Sequence, residues 1–218
     1  MKKIYYVLLG LPKSLFFNFY YFSFATAIKF PVILSHRVWL KTVKGSVSLP
    51  SDFTKRITLG FGDCSIFDKK VSRTIWNVTG DVVFLGSAKF GHGSKLSIDG
   101  KLIVGDNLNI TAESSIVSSK SVSIGSNVLI SWDVLIMDTD FHKIYTVGDS
   151  RQTNCPKPIT IGDNCWIGCN TVLLKGTELP YMTIVGSSSV VSKKFQETNC
   201  LVVGNPANIV RRDVEWQV

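Results

Sequence analysis

The chain has 218 residues, of which 45% are apolar, 11% aromatic and 18% charged. That composition supports one sizeable core and excludes intrinsic disorder, which needs low hydrophobicity and high charge. The 17 glycines follow no triplet period and five cysteines are too few for a disulfide scaffold, so collagen-like and disulfide-stapled classes are excluded as well. A net charge of +8 favours an anionic partner, without saying which class.

The first forty residues read as a separate segment. Met1-Lys2-Lys3 ahead of Ile4–Leu11 imitates the start of a secretory leader, and Ala25-Thr26-Ala27 imitates a cleavage site. Pro12 and Lys13 break the apolar run, however. Only 15 residues separate Lys13 from Lys29, fewer than the roughly 20 that a membrane-crossing helix needs. What remains is an aromatic helical block, Leu15, Phe16, Phe17, Phe19, Tyr20, Tyr21, Phe22 and Phe24, with lysines on both sides. Two readings stay open for it: packing on the protein's own core or a sister subunit, and contact with a membrane–water boundary.

An internal repeat organises the rest. Phe84, Phe90, Ile98, Val104, Ile110 and Ile116 recur at six residues, apart from steps of eight at 90–98 and 116–124 that read as corner insertions. From Ile124 the period is strict: Ile124, Ile130 and Ile136, then, after an interruption at 137–160, Ile161, Ile167, Leu173, Leu179, Val185 and Val191. A helix would repeat near 3.6 and a plain strand at 2, so six needs another geometry. Each hexad can be a short strand and a turn, with its aliphatic residue pointing to a narrow axis. Gly and Asn then supply turn conformations that other residues resist. Three hexads make one triangular coil, and stacked coils bury a ladder of aliphatics. The expected division is 1–40 as an aromatic N-terminal cap or membrane-facing segment, 41–200 as the solenoid with inserted loop 137–160, and 201–218 as a C-terminal tail.

Cys64, Cys155, Cys165, Cys169 and Cys200 form no C-x2-C spacing, so they read as reduced thiols and no metal site is expected. No dense basic run or nucleic-acid-reading motif is present, and nucleic acid is not an expected partner.

The hexads, Asp138-Thr-Asp-Phe-His142, Trp166-Ile-Gly-Cys-Asn170 and Val203-Gly-Asn-Pro-Ala207 together resemble the hexapeptide-repeat acyltransferases, most closely the sugar O-acetyltransferases of galactoside, maltose and capsular polysaccharide type. The resemblance covers about residues 84–212. It implies an all-β fold, a left-handed parallel β-helix with a protruding active-site loop; the aromatic prefix ahead of it is expected to be an α-helical N-terminal extension. It also implies a cytoplasmic homotrimer, either free or peripheral at the inner membrane face. The implied reaction is acetyl transfer from acetyl-CoA, without a metal, to a sugar hydroxyl of a cell-surface polysaccharide or its precursor. An N-acetyltransferase acting on an amino-sugar nucleotide and a non-catalytic β-helix scaffold are the alternatives.

A hydroxyl is a poor nucleophile at neutral pH, and a histidine, with an ordinary pKa of about 6.5, suits the removal of its proton. Of His36, His92 and His142, only His142 lies in the break between clean hexads, and it is the expected general base. His36 reads as structural and His92 as a surface turn residue. Asp138 or Asp140 could orient the imidazole and stabilise its cation, hold the acceptor hydroxyl, or cap the loop. By the resemblance, Asn109 and Glu113 match acceptor-binding positions, with Trp132 and Asp133 near the same cleft by coil stacking. Trp166, Cys169, Ser187, Ser192, Lys193, Arg211 and Arg212 match the donor site, the cations meeting CoA phosphates. The sequence departs from the family pattern at Asn208, where Lys or Arg is usual, and at Cys169, where Ser or Ala is usual.

Overall fold

A computed structural model describes residues 2–62 and 64–217, with side chains from Tyr5 onward. The Met1-Lys2-Lys3 start of the leader-like pattern therefore falls outside the described side chains. Helix α1 (Lys2–Tyr21) and a short turn of helix at Phe24–Ala27 precede the strands. The strands form three parallel sheets of nine, seven and six members, the nine-stranded one closing with a single antiparallel strand. The chain visits the sheets in rotation, so each circuit adds one rung to each face of a triangular prism. The fold is a left-handed parallel β-helix.

The sixfold pattern has a direct physical origin. The expected aliphatics Ile161, Ile167, Leu173, Leu179, Val185 and Val191 are all buried, as are Phe84, Phe90, Ile98, Val104, Ile110 and Ile116. Inward positions come in pairs two apart on one strand, such as Leu96 with Ile98 and Leu102 with Val104. Each fully buried Leu or Ile contributes roughly 1.5–3 kcal/mol. Truncating one, for example Ile136→Ala, is expected to cost about 2–5 kcal/mol. Corners rely on left-handed backbone at Asn107, Asn127, Asp133, Asn164 and Asn170, with φ between 54° and 57°. Asn and Asp tolerate that region better than other side chains.

The eight-residue steps need one correction. The pairs Phe90/Ile98 and Ile110/Ser118 span the same corner, between the first and second sheets, so the second insertion lies at 110–118 and not at 116–124. A larger excursion, Gly60–Arg73, leaves at that corner one coil earlier and hides the period in residues 41–80. The solenoid also begins sooner than position 41. Strand Val32–Leu34 is already a rung, paired with Ile57–Leu59. At the other end, Cys200–Gly204 is the last parallel rung, and Ala207–Arg212 folds back on it past a cis Asn205–Pro206 bond.

Helix α1 closes the open end of the prism. Strand Val32–Leu34 would otherwise expose an unpaired edge, which natural proteins cover. Ser14 and Asn18, both buried, supply the missing partners. Leu34 N–H donates to Ser14 Oγ at 2.9 Å and Val32 N–H to Asn18 Oδ1 at 3.2 Å, while Asn18 Nδ2 donates to the Val32 carbonyl at 2.7 Å. Lys13 Nζ donates to the His36 and Val38 carbonyls, both at 2.6 Å. Gly10 is required here, because a Cβ would lie 1.9 Å from the Leu34 carbonyl oxygen. Phe17 adds an aromatic plug against Trp76, with ring centroids 4.9 Å apart. Of the two readings of the aromatic block, packing on the core thus holds for Phe17, Tyr21 and Phe22, but not for Leu15, Phe16, Phe19, Tyr20 and Phe24, which are exposed.

Candidate active site

The interruption expected at 137–160 is present. Strand Leu135–Met137 ends on the second sheet and Ile159–Ile161 resumes on the third, so the loop leaves from the edge between them. Asp138 opens it, and its carboxylate is fully buried. It accepts from the N–H groups of Ser119, Lys120 and Ser121 at 2.7, 2.8 and 2.7 Å, and from Ser118 Oγ at 3.2 Å. Those bonds tie down the corner of the preceding coil and spend both carboxylate oxygens there. The sequence reading that Asp138 orients an imidazole gives way to this structural role.

Beyond Asp138 the loop is a small hairpin, bridged at Tyr145 and Gln152. Asn154, buried, is its central fastener. Its Oδ1 accepts from Ile144 N–H at 2.7 Å, and its Nδ2 reaches Asp140 Oδ2 and the His142 carbonyl, each at 2.8 Å. The Lys175 ammonium, on the next coil, pairs with Asp140 and also donates to the Asn154 carbonyl at 3.1 Å. Lys175 first, and Asn154 second, hold the Asp140 carboxyl below the usual carboxylate range. Asp140 therefore anchors the loop and makes no hydrogen bond to the His142 ring. The His142 N–H is held by the Asp140 carbonyl at 2.7 Å, and its side chain is exposed. The result is a fixed backbone presenting a free imidazole. Sequence reasoning missed Asn154 and Lys175, since nothing in a hexad period marks a polar residue that acts across the loop.

A second column of expected residues stacks on the edge between the first and second sheets. Glu113 N–H donates to the His92 carbonyl at 2.9 Å, Asn170 N–H to the Trp132 carbonyl at 3.1 Å, and Ser188 N–H to the Cys169 carbonyl at 2.9 Å. Trp132, Asp133, Cys169 and Ser187 thus share one edge of the prism. Cys169 Sγ lies 3.4 Å from Ser187 Oγ. Backbone approach is close, for a Cβ on Gly168 would meet Ser187 N at 2.6 Å.

Glu113 belongs to this column but turns into the corner, where Lys95 Nζ lies 3.1 Å from it and His92 Nε2 lies 3.9 Å away. His92 is not a surface turn residue. It is buried beneath the 60–73 excursion, with Phe67 edge-on at 6.0 Å. His36, read as structural, stacks on Tyr6 at 5.7 Å. Asn109 is not gathered with Glu113. It faces outward on the first sheet, in a groove of ≈ 390 Å³ lined also by Lys89, Asn107, Asn127, Leu129, Asn164 and Trp216.

Trp166 projects from that same outer face, donating from Nε1 to Ser131 Oγ at 3.2 Å and facing Trp216 at 6.0 Å. Of the cations, Lys193 donates to Asn208 Oδ1 at 2.5 Å, and Arg212 pairs with Glu197 at 2.5 Å. Arg211 and Ser192 are exposed. Such exposed pairs are weakly held and exchange readily for a stronger anion. Among the described residues, no group of three or more His, Cys, Asp or Glu is placed to hold a metal ion. None of their helices is long and apolar enough to cross a membrane.

The chain is 31% identical over 122 residues to the galactoside O-acetyltransferase of Escherichia coli, covering 56% of this chain and 56% of that protein. A solved galactoside acetyltransferase in complex with coenzyme A superposes with a TM-score of 0.51 at 26% identity, covering 60% of this chain and 64% of the other. The chain is a left-handed β-helix similar to the sugar O-acetyltransferases. The likeness in fold is broader still. The polysialic-acid-specific acetyltransferase NeuO superposes over 86% of this chain and 82% of its own, with a TM-score of 0.58 at 22% identity. No family model matches the chain. The chain spans about half the length of the curated relatives it matches.

Proposed function

We propose that the chain is an acyltransferase that moves an acetyl group from acetyl-CoA to a sugar hydroxyl of a cell-surface polysaccharide or its precursor. The observation that carries this reading is His142: an exposed imidazole on a backbone fixed by Asn154 and Asp140, in a chain similar to a sugar O-acetyltransferase. In the proposed step the imidazole takes the proton of the attacking hydroxyl. The oxygen–acyl bond forms, the thioester C–S bond breaks, and the proton passes to the leaving thiolate. General-base help of this kind is typically worth about 10²–10⁴ in rate.

The donor would lie along the edge carrying Cys169 and Ser187, near Trp166, with Arg211 and the exchangeable Lys193 and Arg212 toward its phosphates. An open edge of exposed hydroxyls and cations fits a long anionic ligand. That edge and the His142 loop sit at opposite ends of strand Leu135–Met137, some 10 Å apart at ~3.3 Å per residue. We infer that a second copy completes the site, its loop edge laid against the donor edge of the first, and that three copies close the ring. Trp132 and Asp133 would then face the acceptor.

Incubation with acetyl-CoA and a panel of hydroxyl- and amino-bearing sugars tests the reading. An ester-linked acetyl product is expected by mass spectrometry. Product with amino acceptors alone would replace it with N-acetyl transfer, and absence of CoA binding by calorimetry would leave a scaffold.

A further inference from the structure

Helix α1 is amphipathic the wrong way round for a helix in water. Its polar residues Lys13, Ser14 and Asn18 point into the protein, where they cap the first strand. Its large apolar residues point out: Leu8 is 60% exposed, Phe16 52% and Tyr20 51%, with Tyr5, Leu9 and Phe19 on the same side and Phe24 and Ile28 just beyond. The capping explains the inward polar face. No described residue covers the outward one, a stripe of six large side chains along a helix about 30 Å long.

Charge at this end of the prism is equally one-sided. The first 50 residues hold seven Lys and Arg and no Asp or Glu, so seven of the eight net positive charges of the chain lie there. Lys29, Lys41 and Lys44 are exposed beside the helix or on the first rung of the second sheet. Trp39, also exposed, carries Lys41 and Arg73 over its ring at 5.9 and 5.4 Å. Tyr, Trp and Lys around an apolar stripe are the side chains that settle at a bilayer boundary.

We propose that the outer face of α1 is a peripheral docking surface for an anionic lipid bilayer, with the helix lying in the plane of the headgroups and the prism standing above it. A second copy of this chain is the poorer occupant, since pairing two such ends would bring the exposed Lys29, Lys41 and Lys44 of both copies against like charge. The proposal adds a location to the enzyme reading and does not depend on it, because binding to bare vesicles involves neither CoA nor sugar.

Flotation with vesicles of phosphatidylglycerol and phosphatidylethanolamine, against phosphatidylcholine alone, is the test. The full chain should float with the anionic vesicles at low salt, and at least tenfold less with the neutral ones. The triple variant Leu8→Ser, Phe16→Ser, Phe19→Ser should lose flotation at least tenfold while its melting temperature is kept. Lys41→Glu with Lys44→Glu, which leaves the helix untouched, should weaken it in the same direction. A parent chain that floats with neither vesicle, or a triple variant that floats as well as the parent, overturns the proposal. So does a triple variant whose only change is a smaller mass by light scattering, which would assign the face to a second copy.

Discussion

Asn154 reaches back across the loop and donates from Nδ2 to the carbonyl of His142 at 2.8 Å. The same amide bonds Asp140 and receives Ile144, so one side chain sets the path of the segment that carries the proposed base. Asn154→Ala should lower kcat by up to about 10²-fold, the scale of a small misplacement of a catalytic group. KM for acetyl-CoA should not move, because the Asn154 side chain bonds to Ile144, Asp140 and His142 of its own loop and to none of the proposed donor residues. Steady-state kinetics separate the two, and a change confined to KM would contradict the positioning role.

Asp138 answers a different question. Its buried carboxylate receives three backbone N–H groups and a hydroxyl from the corner at 118–121. Asp138→Asn leaves one oxygen and puts an amide among donors, which should cost roughly 2–4 kcal/mol. Urea unfolding should record that loss, while activity per folded molecule is largely retained. Full stability with collapsed activity would restore Asp138 to the imidazole.

The repeat and the loop were legible in the sequence because burial enforces them. A narrow axis accepts only one inward pair per side, so Ile161 to Val191 declare the architecture without any side-chain geometry. Corner lengths were less legible. Phe90 and Ile110 are followed by two extra residues at one corner, but alternate inward residues blur which member of a pair marks the step. The roles of Asp138, Asp140 and Glu113 were not legible, since each is decided by a partner 18–35 residues away in the sequence. His92 shows the same limit: only the excursion at 60–73 buries it.

The cysteines give a chemical map of the prism. Burial pushes the Cys165 thiol up to about 12, and burial raises Cys200 as well. Thiolate is the reactive form, so both should resist alkylation at pH 8 until the protein unfolds. Cys155 is exposed and should label first. Cys169 is only partly covered, and saturating CoA should slow its labelling if the donor lies along that edge. Peptide mass mapping reads all four, and labelling of Cys169 indifferent to CoA would move the donor site.

Asp106 supplies a pH test of the corners. The Lys55 ammonium, and then the Ser87 N–H, lower its carboxyl to about 2 from an ordinary 3.8. A depressed folded-state pKa gives stability that is complete above the ordinary value and is lost as pH falls toward 2. The group is partly exposed, so with solvent screening the contribution is about 1 kcal/mol. The stability gap between parent and Asp106→Asn should therefore be full at pH 5 and nearly closed at pH 2. A gap independent of pH would remove the ion pair from the account.

The central claim is that the loop imidazole takes the proton of an acceptor hydroxyl. Thiol release from acetyl-CoA in the presence of an accepted sugar measures it directly, comparing the parent with His142→Ala at equal CoA affinity and equal melting temperature. The claim predicts a fall of about 10²–10⁴ in kcat. Undiminished acetyl transfer by the variant would contradict it.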